Sequence, residues 1–214
     1  MYIGRIVAVG QTPDGRVCAG YRVSSRSFPN RTAVVAADKV SIVPRAGHES
    51  DVLKNPYIAY NCVRIVRDGK IAVATNGSQT DPIAEKIAMG MPIRDALAFC
   101  SLAMDFEKDQ YNTPRVSAVV DAAAGEGYLA TVREDGLEVR RMPLAPGKFF
   151  YVATYEENSI SAQQGGSFDA ANASALCGFL LGGGLFAERT NPVTAVSTVW
   201  DGTKFDLAAQ DAQA

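Results

Sequence analysis

Tyr57-Ile58-Ala59-Tyr60-Asn61-Cys62-Val63-Arg64-Ile65-Val66-Arg67-Asp68-Gly69-Lys70-Ile71-Ala72-Val73-Ala74-Thr75-Asn76-Gly77-Ser78-Gln79-Thr80-Asp81-Pro82 is the stretch that decides the fold class. Two β-prone runs, 57–66 and 71–75, flank Arg67-Asp68-Gly69-Lys70, whose Asp-Gly pair is hairpin-turn chemistry. A tight hairpin makes its strands antiparallel. The pattern then changes. Asp81 is placed to cap a helix, and Pro82 to take the first helical position, where a missing N–H costs no bond. Hairpin-linked strands followed by grouped helices specify an α+β fold with antiparallel sheets.

The same alternation runs outward in both directions. Tyr2 to Val9 and Val17 to Ser24 read as a hairpin around Pro13-Asp14-Gly15. Residues 32–37 and 39–43 are further strand candidates. The helix opened at Asp81 is expected to stop at Gly90. A second is expected from Ile93 to Glu107, with Ala96, Leu97, Cys100 and Met104 along one face. Strands return at 115–120, 128–133, 137–142 and 148–154. A third helix is expected from Asp169 to Leu181, and two closing strands between Val193 and Leu207 around Asp201-Gly202. Residues 1–207 are expected to form a single domain, with 208–214 as a flexible tail.

Composition removes several function classes. The 214 residues carry a formal net charge of −2, so a broad nucleic-acid surface lacks its basic excess. The four cysteines form no C-x-x-C pair, and His48 is the one histidine, which leaves no zinc pattern. Cys18, Cys62, Cys100 and Cys177 sit among apolar or small residues, as buried free thiols do. The N-terminus lacks the pattern of a signal peptide, and Phe179-Leu180-Leu181 is too short to span a bilayer. A cytoplasmic protein with neither membrane nor nucleic-acid partners is expected. Gly165-Gly166 and Gly182-Gly183-Gly184 lack phosphate-loop spacing.

Chemistry concentrates in four blocks. Tyr21 to Arg31 sets Arg22, Arg26 and Arg31 among Ser24, Ser25, Ser27 and Asn30 at a strand end. Guanidinium forks and hydroxyls suit a phosphate or another oxygen-rich anion, although loops favour Ser, Asn and Pro on their own account. Asn55 to Cys62 places Tyr60 and Asn61 on opposite strand faces. Asn76 to Asp81 joins a strand to a helix start, which serves either as turn and cap or as an anion cradle of backbone N–H groups. Met104 to Arg115 holds Glu107 and Lys108, which diverge in a regular helix but are able to converge on one ligand at a fraying end.

In this order the blocks resemble the archaeal-type inosine monophosphate (IMP) cyclohydrolase family. The matching stretches are Tyr21 to Arg31, Asn55 to Cys62, Asn76 to Lys86, Arg94 to Ala98 and Met104 to Arg115. The likeness is dense up to Arg115 and loose afterwards. It implies a four-layer αββα sandwich like that of N-terminal nucleophile hydrolases, yet Met1-Tyr2-Ile3 offers no Cys, Ser or Thr nucleophile. The implied reaction closes 5-formamidoimidazole-4-carboxamide ribonucleotide to IMP with loss of water, without metal or other cofactor. Both reacting groups lie on one molecule, so positioning supplies much of the acceleration. The resemblance further implies Arg31 and Tyr60 at the reacting carbon, with Glu107 and Lys108 assisting proton transfer. It assigns Arg22, Ser24, Ser25, Arg26 and Ser27 to the phosphate, and Asn61, Asn76 and Ser78 to base or ribose. The partners are then the purine ribonucleotide substrate and its product, and a homo-oligomer is expected. The competing readings are a non-catalytic purine-nucleotide sensor and an amide hydrolase using Cys18 or Ser24 after processing.

Overall fold

Turn chemistry and strand alternation together produce two antiparallel sheets in the computed structural model, which describes residues 1–213. The first half contains β1 (Ile6–Gln11), β2 (Val17–Ser24), β3 (Arg31–Val35), β4 (Lys39–Pro44), α1 (Asp51–Lys54), β5 (Tyr60–Val66) and β6 (Ile71–Thr75). Helices α2 (Thr80–Ala88) and α3 (Ile93–Met104) follow. Then come β7 (Arg115–Asp121), β8 (Glu126–Arg133), β9 (Gly136–Met142), β10 (Lys148–Ala153) and β11 (Gly165–Ser167). The chain closes with α4 (Ala173–Gly182), β12 (Pro192–Trp200) and β13 (Phe205–Asp211). One sheet has six strands in the order β11-β10-β1-β2-β12-β13; the other has seven, running β3 to β9 in sequence order.

Side chains alternate across each strand, so both faces of the central strands reach apolar cores. Val7 and Val9 of β1 face the other sheet, and with Tyr21, Ile42, Cys62, Ala74, Val116 and Leu129 they form the inter-sheet core. Ile6 and Ala8 point the opposite way, onto Leu176, Cys177 and Leu180 of α4. On the seven-stranded sheet, Val73 and Val119 turn outward against Ile83 and Ile87 of α2 and Leu97 and Cys100 of α3. These helices have 9, 12 and 10 residues, marginal lengths for isolated helices in water. Burying each large aliphatic side chain contributes about 1.5–3 kcal/mol, so packing on the sheets decides that they form.

Several boundaries differ from the sequence expectation, each for a local reason. β1 begins at Ile6 because Gly4 adopts φ +81° and breaks the extended run begun at Tyr2. α2 begins at Thr80, and Asp81 is not its cap; the Asp81 carboxylate instead accepts from Asn61 (3.0 Å) and Arg64 (2.8 Å) across on β5. α3 stops at Met104 rather than Glu107, because Asp105 turns the chain at φ +56°. α4 starts at Ala173, where Asn172 Oδ1 accepts from the Ala175 N–H (2.9 Å). β13 runs through Asp211, into the segment expected as a flexible tail. Among the described residues, no helix is long and apolar enough to cross a membrane.

Candidate functional site

The break at Gly4, the end of β2 and the turn at Asp105 converge on one cleft of about 410 Å³. Its walls come from Tyr2 and Arg5, the loop Ser24 to Phe28, Arg31, the segment Lys54 to Ile58, the loop Glu107 to Tyr111, and Tyr155. Arg5, Arg26, Arg31 and Lys54 bring positive charge to the cleft; Glu107 and Asp109 bring negative charge. The Asp109 carboxylate is consumed locally, accepting from the Tyr111 and Thr113 N–H groups (3.1 and 3.0 Å) and from Thr113 Oγ1 (2.8 Å). Glu107 is paired with Arg5. Lys54 is likewise paired, with Asp51 (2.8 Å), so the positive charge left to the cleft is that of Arg26 and Arg31, which suits a phosphate-bearing ligand.

Each wall owes its geometry to the backbone beneath it. Arg31 is 3% exposed, and its Nε donates to the Phe28 carbonyl (3.0 Å). Among the described residues no protein acceptor takes its terminal nitrogens, which leaves that end of the fork for a ligand. Arg26 is exposed, and its guanidinium lies 4.4 Å from the centre of the Tyr2 ring. Ser25 Oγ accepts from the Phe28 N–H (3.0 Å), which curls the loop back on itself. Past Asp105 the chain is no longer helical. Glu107 turns in and is 1% exposed, while Lys108 turns out.

Behind the wall, the Tyr21 and Tyr60 hydroxyls lie 2.5 Å apart. Burial pushes both phenols above their usual range. For Tyr60, Arg31 and Arg5 oppose the rise; for Tyr21 the neighbouring Tyr60 adds to it. Both phenols therefore keep their protons at neutral pH.

The cleft gathers Ser24, Ser25, Arg26, Ser27, Arg31 and Glu107 of the expected site. Six other expected residues do not line it, and each has a physical reason. Arg22 is fully buried and points toward α4, donating to the carbonyls of Leu180 (3.2 Å), Arg189 (2.5 Å) and Thr190 (3.3 Å). Burial and the nearby Arg189 lower its pKa to about 10. Its donors are taken by the chain around the end of α4, on the side away from the cleft. Asn61 is spent between Ser41 (2.7 Å) and Asp81. Asn76 is buried and braces the backbone of Pro114 (2.9 Å) and Val116 (2.9 Å). Ser78 is exposed, away from the cleft. Lys108 pairs with Asp105 (2.5 Å) over the Phe106 ring, outside the walls. Tyr60, 9% exposed, stands behind the wall.

The chain matches the family model described as "IMP cyclohydrolase-like protein" over residues 2–204. The chain belongs to the IMP cyclohydrolase-like family. Its relatives include a protein named IMP cyclohydrolase in Methanosphaera stadtmanae, 50% identical over 195 residues that cover 91% of this chain and 92% of that one. A protein of the same name in Methanocella arvoryzae is 53% identical, covering 75% of this chain and 77% of its own. Another, in Methanocaldococcus jannaschii, is 39% identical over 98% of this chain and 99% of its own.

In this IMP cyclohydrolase-like chain the sequence reading missed Tyr2, Arg5, Lys54, Tyr57, Tyr111 and Tyr155 as cleft residues. Arg5 had a signal: it is a lone charge inside the apolar run Ile3-Gly4-Arg5-Ile6-Val7. Tyr57 and Tyr111 lay inside stretches already singled out. Tyr155 had none, because its place depends on ring packing against Tyr2 (5.8 Å between centroids) and Tyr111 (6.3 Å).

Proposed function

We propose that this protein closes 5-formamidoimidazole-4-carboxamide ribonucleotide to IMP with loss of water. The observation that carries the reading is the cleft itself. A buried Arg31 whose terminal guanidinium nitrogens meet no protein acceptor among the described residues and a buried Glu107 carboxylate share one cationic pocket. Its volume falls within the ~300–1,000 Å³ of ordinary small-molecule sites, and relatives across most of the chain carry the name IMP cyclohydrolase.

The carboxamide nitrogen attacks the formyl carbon, a C–N bond forms, and the formyl oxygen becomes a hydroxyl. That hydroxyl leaves as water when the ring nitrogen gives up its proton. Over the two steps two protons leave nitrogen and two join the departing oxygen. In this proposal Arg31 polarises the formyl oxygen as charge develops on it. Glu107 takes protons from nitrogen and returns them to oxygen. Tyr60, kept neutral and bonded to Tyr21, supports the reacting carbon from behind. Arg26, with Ser24, Ser25 and Ser27, holds the phosphate. The same proposal reads the two sheets and their flanking helices as the four-layer αββα sandwich of N-terminal nucleophile hydrolases.

Purified protein mixed with the formamido ribonucleotide should form IMP faster than buffer, followed by absorbance. Glu107→Gln should slow turnover while leaving IMP affinity near that of the wild type. A wild-type protein that binds IMP without accelerating closure overturns the reading in favour of a nucleotide sensor.

A further inference from the structure

Glu107 is a carboxylate 1% exposed, and an unpaired buried charge is costly. Its partner is Arg5. Nη2 donates to Oε2 (2.8 Å) and Nη1 to Oε1 (3.3 Å), a two-pronged contact that fixes the plane of the carboxylate as a single ammonium does not. Nη1 also donates to the Asn76 carbonyl (3.1 Å), so the fork is itself anchored. At the backbone, the Arg5 N–H donates to Thr154 Oγ1 (3.0 Å). Gly4 makes that approach possible: a Cβ there would collide with Thr154 Oγ1, and φ +81° favours glycine.

A second arginine completes the frame. Arg115 Nη1 stands 3.7 Å from Glu107 Oε1, held by Gln79 Oε1 (3.0 Å) and, through Nε, by the Asp105 carbonyl (2.9 Å). Gln79 is in turn tied to Asn76 Oδ1 (2.8 Å). An ionised carboxylate has about four acceptor sites. Arg5 takes one on each oxygen, and the open sites belong to a group that lines the cleft.

We propose that Arg5 is a positioning residue: its bidentate pairing locks the Glu107 carboxylate at the angle from which it exchanges protons with the ligand. The inference rests on the ring-closure reading and deepens it. Loss of the fork leaves Arg26 and Arg31 in the pocket, so nucleotide binding persists while proton transfer fails.

The test measures turnover, IMP affinity by calorimetry and melting temperature for Arg5→Met, Arg5→Lys, Glu107→Gln and the Arg5→Met/Glu107→Gln double variant. Arg5→Met should lower kcat about 10²-fold, the low end of what a positioned proton carrier supplies, with IMP affinity changed less than about threefold. In the Glu107→Gln background the same change should cost less than about threefold more, because residues acting as a unit are non-additive. Arg5→Lys keeps the charge and the Thr154 bond and carries the same comparison if Arg5→Met does not fold; its kcat should fall while its melting temperature holds. Full kcat in a folded Arg5 variant, parallel loss of kcat and IMP affinity, or losses that multiply in the double variant each overturn the assignment. A wild type inactive in ring closure sinks the parent reading instead.

Discussion

At Arg26 the side chain is exposed, stacked on Tyr2 and free of protein hydrogen-bond acceptors among the described residues, so its charge is available to a ligand. Arg22, four positions earlier in the same stretch, is fully buried and saturated by carbonyls. The two arginines therefore answer different experiments. Arg26→Ala should weaken binding of IMP roughly tenfold or more, in line with ~1.5–3 kcal/mol for a charge-assisted hydrogen bond. Binding of the nucleoside lacking phosphate should hardly change. Calorimetry on the two ligands checks this, and equal weakening of both would remove Arg26 from the phosphate. Arg22→Ala should act on folding rather than on affinity, because it strips a buried cation from the carbonyls at the end of α4. Both arginines were legible as an anion-seeking cluster. Their separation was not, because it depends on β2 ending at Ser24, with Arg22 inside the strand on the side packed by α4 and Arg26 in the loop beyond it.

The element that departs most from expectation is β13. Its last residues pair with β12, Ala208 with Ser197 through Asp211 with Thr194. The Asp211 carboxylate then accepts from Thr32 on β3 (3.0 Å) and from Arg45 (3.0 Å), while Arg45 Nε donates to the Arg31 carbonyl (3.2 Å). The end of one sheet thus steadies the strand of the other sheet that carries Arg31. A chain ended after Leu207 should melt earlier. A loss of about 2 kcal/mol corresponds to about 4–8 °C at this chain length. It should also bind IMP more weakly, because the backbone of Arg31 loses a tether. An unchanged melting curve would return 208–213 to the status of a loose tail; Ala214 lies outside the described residues. The sequence showed no pattern there because Ala208 and Ala209 are weak strand formers; tertiary pairing made the strand. The helix boundary at Asp105 has a similar origin. Periodicity carried α3 to Glu107, but a single residue at positive φ ended it earlier and sent Glu107 inward and Lys108 outward.

Across the whole molecule, the cores explain the thiols. Cys18 and Cys177 lie between the six-stranded sheet and α4, Cys62 between the sheets, and Cys100 under α3. All four are free and buried. Burial raises each thiol, Cys18 to about 12 and Cys177 to about 11, with Cys62 and Cys100 also above the usual range. Thiolate is the reactive form. The folded protein should therefore resist a disulfide-exchange reagent at pH 8 and react at all four cysteines only in denaturant. Fast labelling of Cys18 in the folded state would revive a cysteine-nucleophile reading, which its place in the core opposes.

What the sequence determined by itself was local and periodic. Turn residues such as Arg67-Asp68-Gly69 and the apolar runs beside them dictate hairpins, antiparallel sheets and grouped helices. Clustered Arg, Ser, Tyr and Glu mark the neighbourhood of a polar site. These follow from φ preferences, side-chain alternation and charge, which act over a few residues. Only the tertiary structure decided which of the clustered residues share a cleft. Arg5, Arg31, Glu107 and Tyr155 come from distant parts of the chain, joined by sheet order and by the backbone turns at Gly4 and Asp105. Arg22, Asn61 and Asn76 were drawn instead into the framework, because a buried polar group must find its hydrogen bonds wherever the packing places it.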